Sequence, residues 1–277
     1  MLKWIEKMLR RHRRQAEGKK LERSPLEVDN PAHGLETDNR TLARPSAEGP
    51  SPHPPRPDSA ERGREHGLRG GTGGADDAAG GTSAPRHATR YVVTRLGVLS
   101  YAELAPHLAR NVLALEKQIE DGEYSDAALD DALLLQFHSL ICGDLVPKLV
   151  GWRRTNVTVG EHEPPDFFKV PALVREYGLD LQARASIAGE AAENLLETLA
   201  FAEGRLLFIH PFADFNGRVT RVWLREILRR LDLPPVQLAP TEEPARSEYL
   251  AALRAADRND RRPLMEIWER RFEDVRG

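Results

Sequence analysis

The feature that most limits what this chain can fold into is a tract without aromatic residues. Residues 24–90 hold nine prolines, ten glycines and no Phe, Trp or Tyr. Such a segment cannot bury enough apolar surface to offset the entropy of ordering it. Within it, Pro50-Ser51-Pro52-His53-Pro54-Pro55-Arg56-Pro57 reads as an extended spacer and Gly70 to Gly81 as a flexible one. A packed core is therefore expected only beyond Tyr91. The chain divides into a basic segment 1–23, a disordered linker 24–90 and a folded domain 91–277.

Charge narrows the partners. The net charge is −3 and the pI about 6.3, so there is no basic field over the whole chain and no specific nucleic acid is expected. The first 23 residues run the other way, with nine Lys or Arg against three Glu. There Leu2, Trp4, Ile5, Met8 and Leu9 fall near one side of a helix. Residues 1–15 thus read as a frayed basic tail, or as a short helix touching an anionic membrane surface. The single cysteine, Cys142, excludes an internal disulfide and a thiol-rich metal cluster, and its neighbours Leu140 and Ile141 mark it as a buried apolar residue. With no apolar run near the ~20 residues of a membrane span and no signal-peptide core, the expected compartment is the cytoplasm.

From Tyr91 onward the apolar period is mainly helical. Ser100 with Glu103 has capping-box spacing, and Leu104, Leu108, Val112, Leu115 and Ile119 form the stripe that follows. Asp126 is expected to open a second helix through Leu129, Leu133, Phe137 and Leu140. A third is expected from about Gln182 to Ile209, a fourth from about Asn216 to Leu231, and two more over Arg246–Ala256 and Pro263–Phe272. The exception is Thr155-Asn156-Val157-Thr158-Val159-Gly160, which alternates polar and apolar residues and is expected to be half of a short hairpin ended by Glu163-Pro164-Pro165.

The chemistry concentrates in His210-Pro211-Phe212-Ala213-Asp214-Phe215-Asn216-Gly217-Arg218-Val219-Thr220-Arg221. Proline stops the incoming helix at His210. A new helix begins about five residues later. Its first N–H groups lack intrahelical acceptors and carry the positive end of the helix dipole, a geometry that binds phosphate. Gly217 lets the backbone approach an anion closely. Asp214 is a hard oxygen donor suited to Mg²⁺ beside phosphates. Arg218 and Arg221, three apart, share a face of the first turn, where two guanidinium forks clamp a polyphosphate. His210, with an ordinary pKa near 6.5, suits a general base for a hydroxyl nucleophile.

This segment resembles the signature of the Fic family, H-P-F-x-D/E-G-N-G-R-x-x-R, at eight of its nine specified positions; the departure is Phe215, where the family usually has Gly. Gly151-Trp152-Arg153-Arg154-Thr155 resembles the G-x-x-R approach to the family's flap, and Glu248 to Leu253 with Asp260 resembles its tail. The resemblance implies an all-α, Fic-type helical bundle with a short β-hairpin flap, preceded here by the disordered N-terminal region. It implies a protein adenylyltransferase that moves AMP from ATP, with Mg²⁺, to a Ser, Thr or Tyr hydroxyl of a target protein. His210 would be the base and Asp214 the Mg²⁺ ligand. The loop at Phe215, Asn216 and Gly217 would be the anion hole, with Asn216 also touching the α phosphate, Arg218 on the β and Arg221 on the γ phosphate. Thr155, Asn156, Val157, Thr158 and Val159 would bind the target by strand addition.

Other readings stand beside these. A Doc-like phosphotransferase would move the γ phosphate, but that branch tends to carry Lys where Gly217 stands; a non-catalytic adaptor would have no use for His210. The family's inhibitory S/T-x-x-x-E-G/N pattern is approached only by Ser186 to Ala191, out of place, so a toxin restrained by a separate antitoxin chain is the expected alternative to inhibition in cis. Phe212 is expected in the core, His138 as a partly buried structural histidine and His162 in solvent. Arg225, Arg229 and Arg230 are expected on a solvated face. Trp152 fits a nucleotide wall and a flap-packing role equally.

Overall fold

The computed structural model describes residues 90–275 together with residues 6, 9 and 10. The linker expected over 24–90 lies outside them except for Arg90, and so does the basic segment except for Glu6, Leu9 and Arg10. Leu9 is buried with the core, not presented outward as a lipid-facing helix would have it. Among the described residues no helix is long and apolar enough to cross a membrane.

The body opens with an antiparallel hairpin, β1 (Tyr91–Thr94) and β2 (Gly97–Ser100), in the register Tyr91↔Ser100 to Thr94↔Gly97. This is the two-stranded sheet, and it is not where the sequence pattern placed one. Tyr91, Val93, Leu96 and Val98 are exposed on it, so it carries little of the burial signal that marks a strand. Residues 155–158 are instead irregular, and only a tight turn after them is closed by one bridge, Val159↔His162. The β-branched residues here are exposed or half-buried, and Pro164 and Pro165 supply no N–H for a returning strand.

Seven helices follow. Ser100 caps α1 (Tyr101–Glu120): its hydroxyl accepts from Glu103 N–H at 3.3 Å, while its own N–H donates to Glu103 Oε2 at 2.8 Å. The predicted stripe is its buried face. The second helix, α2 (Asp131–Cys142), starts five residues later than Asp126 suggested. Asp130 is the cap, its carboxylate accepting from the N–H groups of Ala132 and Leu133, each at 3.1 Å. The expected single helix from Gln182 to Ile209 is two: α3 (Val170–Ile187) and α4 (Ala192–Ile209), broken at Ala188-Gly189-Glu190-Ala191. Pro171 sits in the first turn of α3, where its missing N–H costs nothing. Gly178 lets α3 approach α2: a Cβ there would stand 3.2 Å from Asp130 Cα.

Then come α5 (Asn216–Arg230), α6 (Ala245–Asp257) and α7 (Arg262–Asp274), close to the predicted limits. The centre is α4, buried on nearly every face from Ala192 to Ile209 and packed against α3, α5, α6 and α7. Helices α1 and α2 cover the other side of α5. The arginines expected on a solvated face of α5 are half-buried and paired. Arg229 and Arg230 share the fully buried Glu226 at 2.6–2.9 Å, and Arg225 reaches Glu116 at 3.8 Å. The signal missed was the glutamate at i−3 and i−4 from the two arginines.

Candidate active site

The site lies where α4 ends and α5 begins. His210 terminates α4 in the left-handed region, with φ 49°, and Phe215 precedes α5 with φ 65°. Two positive-φ residues without glycine's freedom bound the six-residue loop 210–215, and each costs on the order of 1 kcal/mol of backbone strain. Asn216 holds that loop closed: its side-chain amide accepts from Phe212 N–H at 3.0 Å and donates to Phe212 O at 2.9 Å. That amide is thus committed to the loop, not turned toward an anion. Phe212 is fully buried, stacked on His138 at 3.9 Å and tilted against Trp152 at 5.2 Å.

Arg153, not Arg154, is the buried member of the Gly151–Thr155 segment. Its Nε donates to His210 O at 2.9 Å, Nη2 to Ile209 O at 3.4 Å and to Pro165 O, and Nη1 to Thr155 O at 3.1 Å. One guanidinium therefore covers the carbonyl end of α4, where a cation is favoured. Backbone pairing joins the same segment to the loop, through Arg153 N–H to Pro211 O at 2.9 Å and the bridge Trp152↔Phe212. Trp152 packs the loop; that accounts for its placement.

Three histidines surround this junction. His210 is 4 % exposed and its Nδ1 has no hydrogen-bond partner. Burial, then the neighbouring His162 and Arg153, push its pKa down to about 3, so the ring is neutral at physiological pH. His138, wholly buried, is pushed down to about 4 chiefly by burial, and its Nε2 lies 3.3 Å from Asp214 O. His162 is half-buried and not in solvent as expected: Nε2 lies 3.0 Å from Phe208 O and Nδ1 3.3 Å from Asp257 Oδ2. Its pKa is raised because the Asp257 and Phe208 partners outweigh the desolvation that opposes them. Cys142 is buried as expected, and burial pushes its thiol up to about 12.

At the mouth of α5 no side chain caps the helix, so the first-turn N–H groups of Asn216 and Gly217 face the loop without a side-chain acceptor. Arg218 is half-buried, its guanidinium 5.9 Å from the Phe215 ring. Arg221, also half-buried, lines a small cavity with Gly217, Thr220, Glu203 and Tyr249. Tyr249 in turn lines a cleft of about 460 Å³ between α6, α7 and the 237–242 loop. Behind it a network escaped the sequence reading. Arg271 donates to both oxygens of buried Glu203 at 2.7 and 3.2 Å, and Tyr249 Oη donates to Glu203 Oε1 at 2.7 Å. Glu203, set between the apolar residues Leu199–Ala202 and Leu206–Ile209 of α4, was its sequence signal.

Asp214 is buried, its two oxygens engaged by Tyr101 and Arg90. The target-binding candidates Thr155, Asn156 and Thr158 are exposed, and Val157 and Val159 half-buried. They carry no strand pairing beyond the Val159 bridge, and Asn156 Oδ1 accepts from Phe167 N–H at 2.9 Å.

An uncapped helix start flanked by a buried neutral imidazole, a carboxylate and two arginines is an arrangement whose free N–H groups and charges suit an anion. Residues 128–228 match the Fic/DOC family. Among curated relatives, the protein adenylyltransferase fic-1 of Caenorhabditis briggsae is 34 % identical over 144 residues, 52 % of this chain and 27 % of that protein. The protein adenylyltransferase Fic of Drosophila grimshawi is 32 % identical over 133 residues, 48 % and 26 % of the two chains. This chain thus spans about a quarter of the length of these relatives. The crystal structure of the BepC protein of Bartonella tribocorum, a VirB-translocated effector with bound AMPPNP, shares the fold. Its TM-score is 0.50 at 15 % identity, covering 68 % of this chain and 93 % of that one.

Proposed function

We propose that this protein is a nucleotidyltransferase that moves AMP from ATP to a Ser, Thr or Tyr hydroxyl of a target protein, with residues 91–277 as the functional unit. The observation that carries the reading is the buried, neutral His210 held beside the uncapped start of α5, with Arg218 and Arg221 on its first turns. The curated relatives are named for the same activity.

In this reading the first-turn N–H groups of α5 and the helix dipole hold the α phosphate. Arg218 and Arg221 bind the β and γ phosphates. Asn216 contributes its main chain and keeps the loop in shape. The target backbone lies along 155–159, placing its hydroxyl at His210. The hydroxyl oxygen attacks the α phosphorus, its proton passes to a ring nitrogen of His210, and pyrophosphate leaves. Positioning and charge stabilisation do most of the work in such a transfer. The Asp214 carboxylate is a hard oxygen donor of the kind Mg²⁺ takes. That ion, when bound there, would neutralise phosphate charge. Glu190 stands in the exposed α3–α4 turn, and restraint of the activity is assigned to a separate chain.

ATP labelled at the α or the γ position, incubated with the protein and a lysate, tests the assignment. Label from the α position on protein supports it. Label from the γ position establishes the phosphotransferase instead, and no label from any nucleotide leaves an adaptor. His210→Ala should lower transfer at least ~100-fold while nucleotide still binds; persistent transfer removes His210 as the base.

A further inference from the structure

Two residues from outside the motif hold the Asp214 carboxylate. Tyr101, the first residue of α1, donates its hydroxyl to Oδ1 at 2.5 Å. Arg90, the residue just before β1, donates Nη2 to Oδ2 at 2.7 Å. The Phe215 N–H adds a bond to Oδ1 at 2.8 Å. The Arg90 guanidinium lies 5.0 Å from the Tyr101 ring centre, and that ring lies 6.1 Å from Phe215. The Asp214 side chain is 3 % exposed, that of Arg90 41 %. A carboxylate so buried needs positive charge nearby, and Arg90 supplies it at 2.7 Å. A divalent cation on the same oxygens would meet that guanidinium at close range and be repelled. Arg90, being partly exposed and next to the residues preceding the domain, is the member able to leave.

We propose that Arg90 is a resident counter-ion that competes with a divalent cation for Asp214, so that metal–nucleotide binding requires Arg90 to swing away. This rests on the nucleotide-site reading above. Arg90 immediately precedes β1, so whatever displaces this side chain would open the cation site.

Titration of the full chain with a non-hydrolysable ATP analogue, in Mg²⁺ and in EDTA, separates the cases by binding alone. With Mg²⁺, Arg90→Ala should bind the analogue about five- to tenfold more tightly than the wild type. In EDTA it should bind more weakly, because one positive charge beside the polyphosphate is then lost. Arg90→Lys should stay near the wild type, and the gain should vanish in Arg90→Ala/Asp214→Asn. Equal or weaker binding by Arg90→Ala in Mg²⁺ overturns the proposal; if Asp214→Asn still abolishes the Mg²⁺ dependence, the site reading survives. No analogue binding by wild type and Arg90→Ala alike removes that reading and the proposal together.

Discussion

At the scale of single residues, Phe215 and His210 show what a motif pattern states and what it hides. The match at His210, Asp214, Gly217, Arg218 and Arg221 was legible because phosphate chemistry demands those residue types at a helix start. The accommodation of Phe215 was not, since it depends on packing from Tyr101, 114 residues earlier in the chain. Phe215, at the position where the motif usually has Gly, adopts a left-handed φ and offsets the strain through a wholly buried ring. Phe215→Gly should therefore relieve ~1 kcal/mol of strain but lose ~3–4 kcal/mol of aromatic burial. The expected result is a lower thermal midpoint with nucleotide binding retained. His210 invites a second check. Its pKa of about 3 means that no acid limb from this group should appear in the transfer rate between pH 5.5 and 8. A rate that halves near pH 6.5 and is relieved of that limb by no other histidine substitution would contradict this burial-driven neutrality.

At the scale of elements, the helices with strong period and clear punctuation were legible: α1 from its capping box, α5 from the proline stop, α6 and α7 from their stripes. The hairpin β1–β2, the break at Ala188–Ala191 and the first half of α3 were not. Each is set by what packs on it: an exposed hairpin carries no alternation of burial, and a short Ala-Gly turn resembles helix by propensity. Long-range polar pairing was equally invisible. Glu203 on α4, Tyr249 on α6 and Arg271 on α7 meet across 46 and 68 residues of sequence. Glu203→Ala would leave the buried Arg271 guanidinium unpaired, a loss of about 3–5 kcal/mol, readable as a fall in the urea midpoint. Replacing Glu203 and Arg271 together by Leu and Met should recover much of it. A double variant as unstable as the single one would show that the network is not closed between these two residues.

At the scale of the whole molecule, the histidines inside the fold couple stability to pH. The folded-state pKa of His210 is about 3 and of His138 about 4, both below the ~6.5 of an unfolded histidine. Between those limits the unfolded chain takes up protons that the folded chain refuses. The contribution of these two histidines is thus complete above about pH 6.5 and falls as pH drops toward the folded values, by ~1.4 kcal/mol per pH unit for each, while His162, whose pKa is raised, works in the opposite direction. Chemical denaturation at pH 5 and pH 7 should show the difference, and His210→Gln should reduce the slope by about half if His138 supplies the rest. The same enclosure protects Cys142, which iodoacetamide should alkylate only after unfolding.

One consequence follows from the guanidinium of Arg153. It grips the last carbonyls of α4, including that of His210, and with the same fork the carbonyl of Thr155, at the near end of the proposed target track. Grip on the target and aim of the base are in that case a single mechanical part. A protein seated along 155–159 loads the joint that sets the angle of the imidazole. Selectivity for the target would then register in turnover as well as in capture.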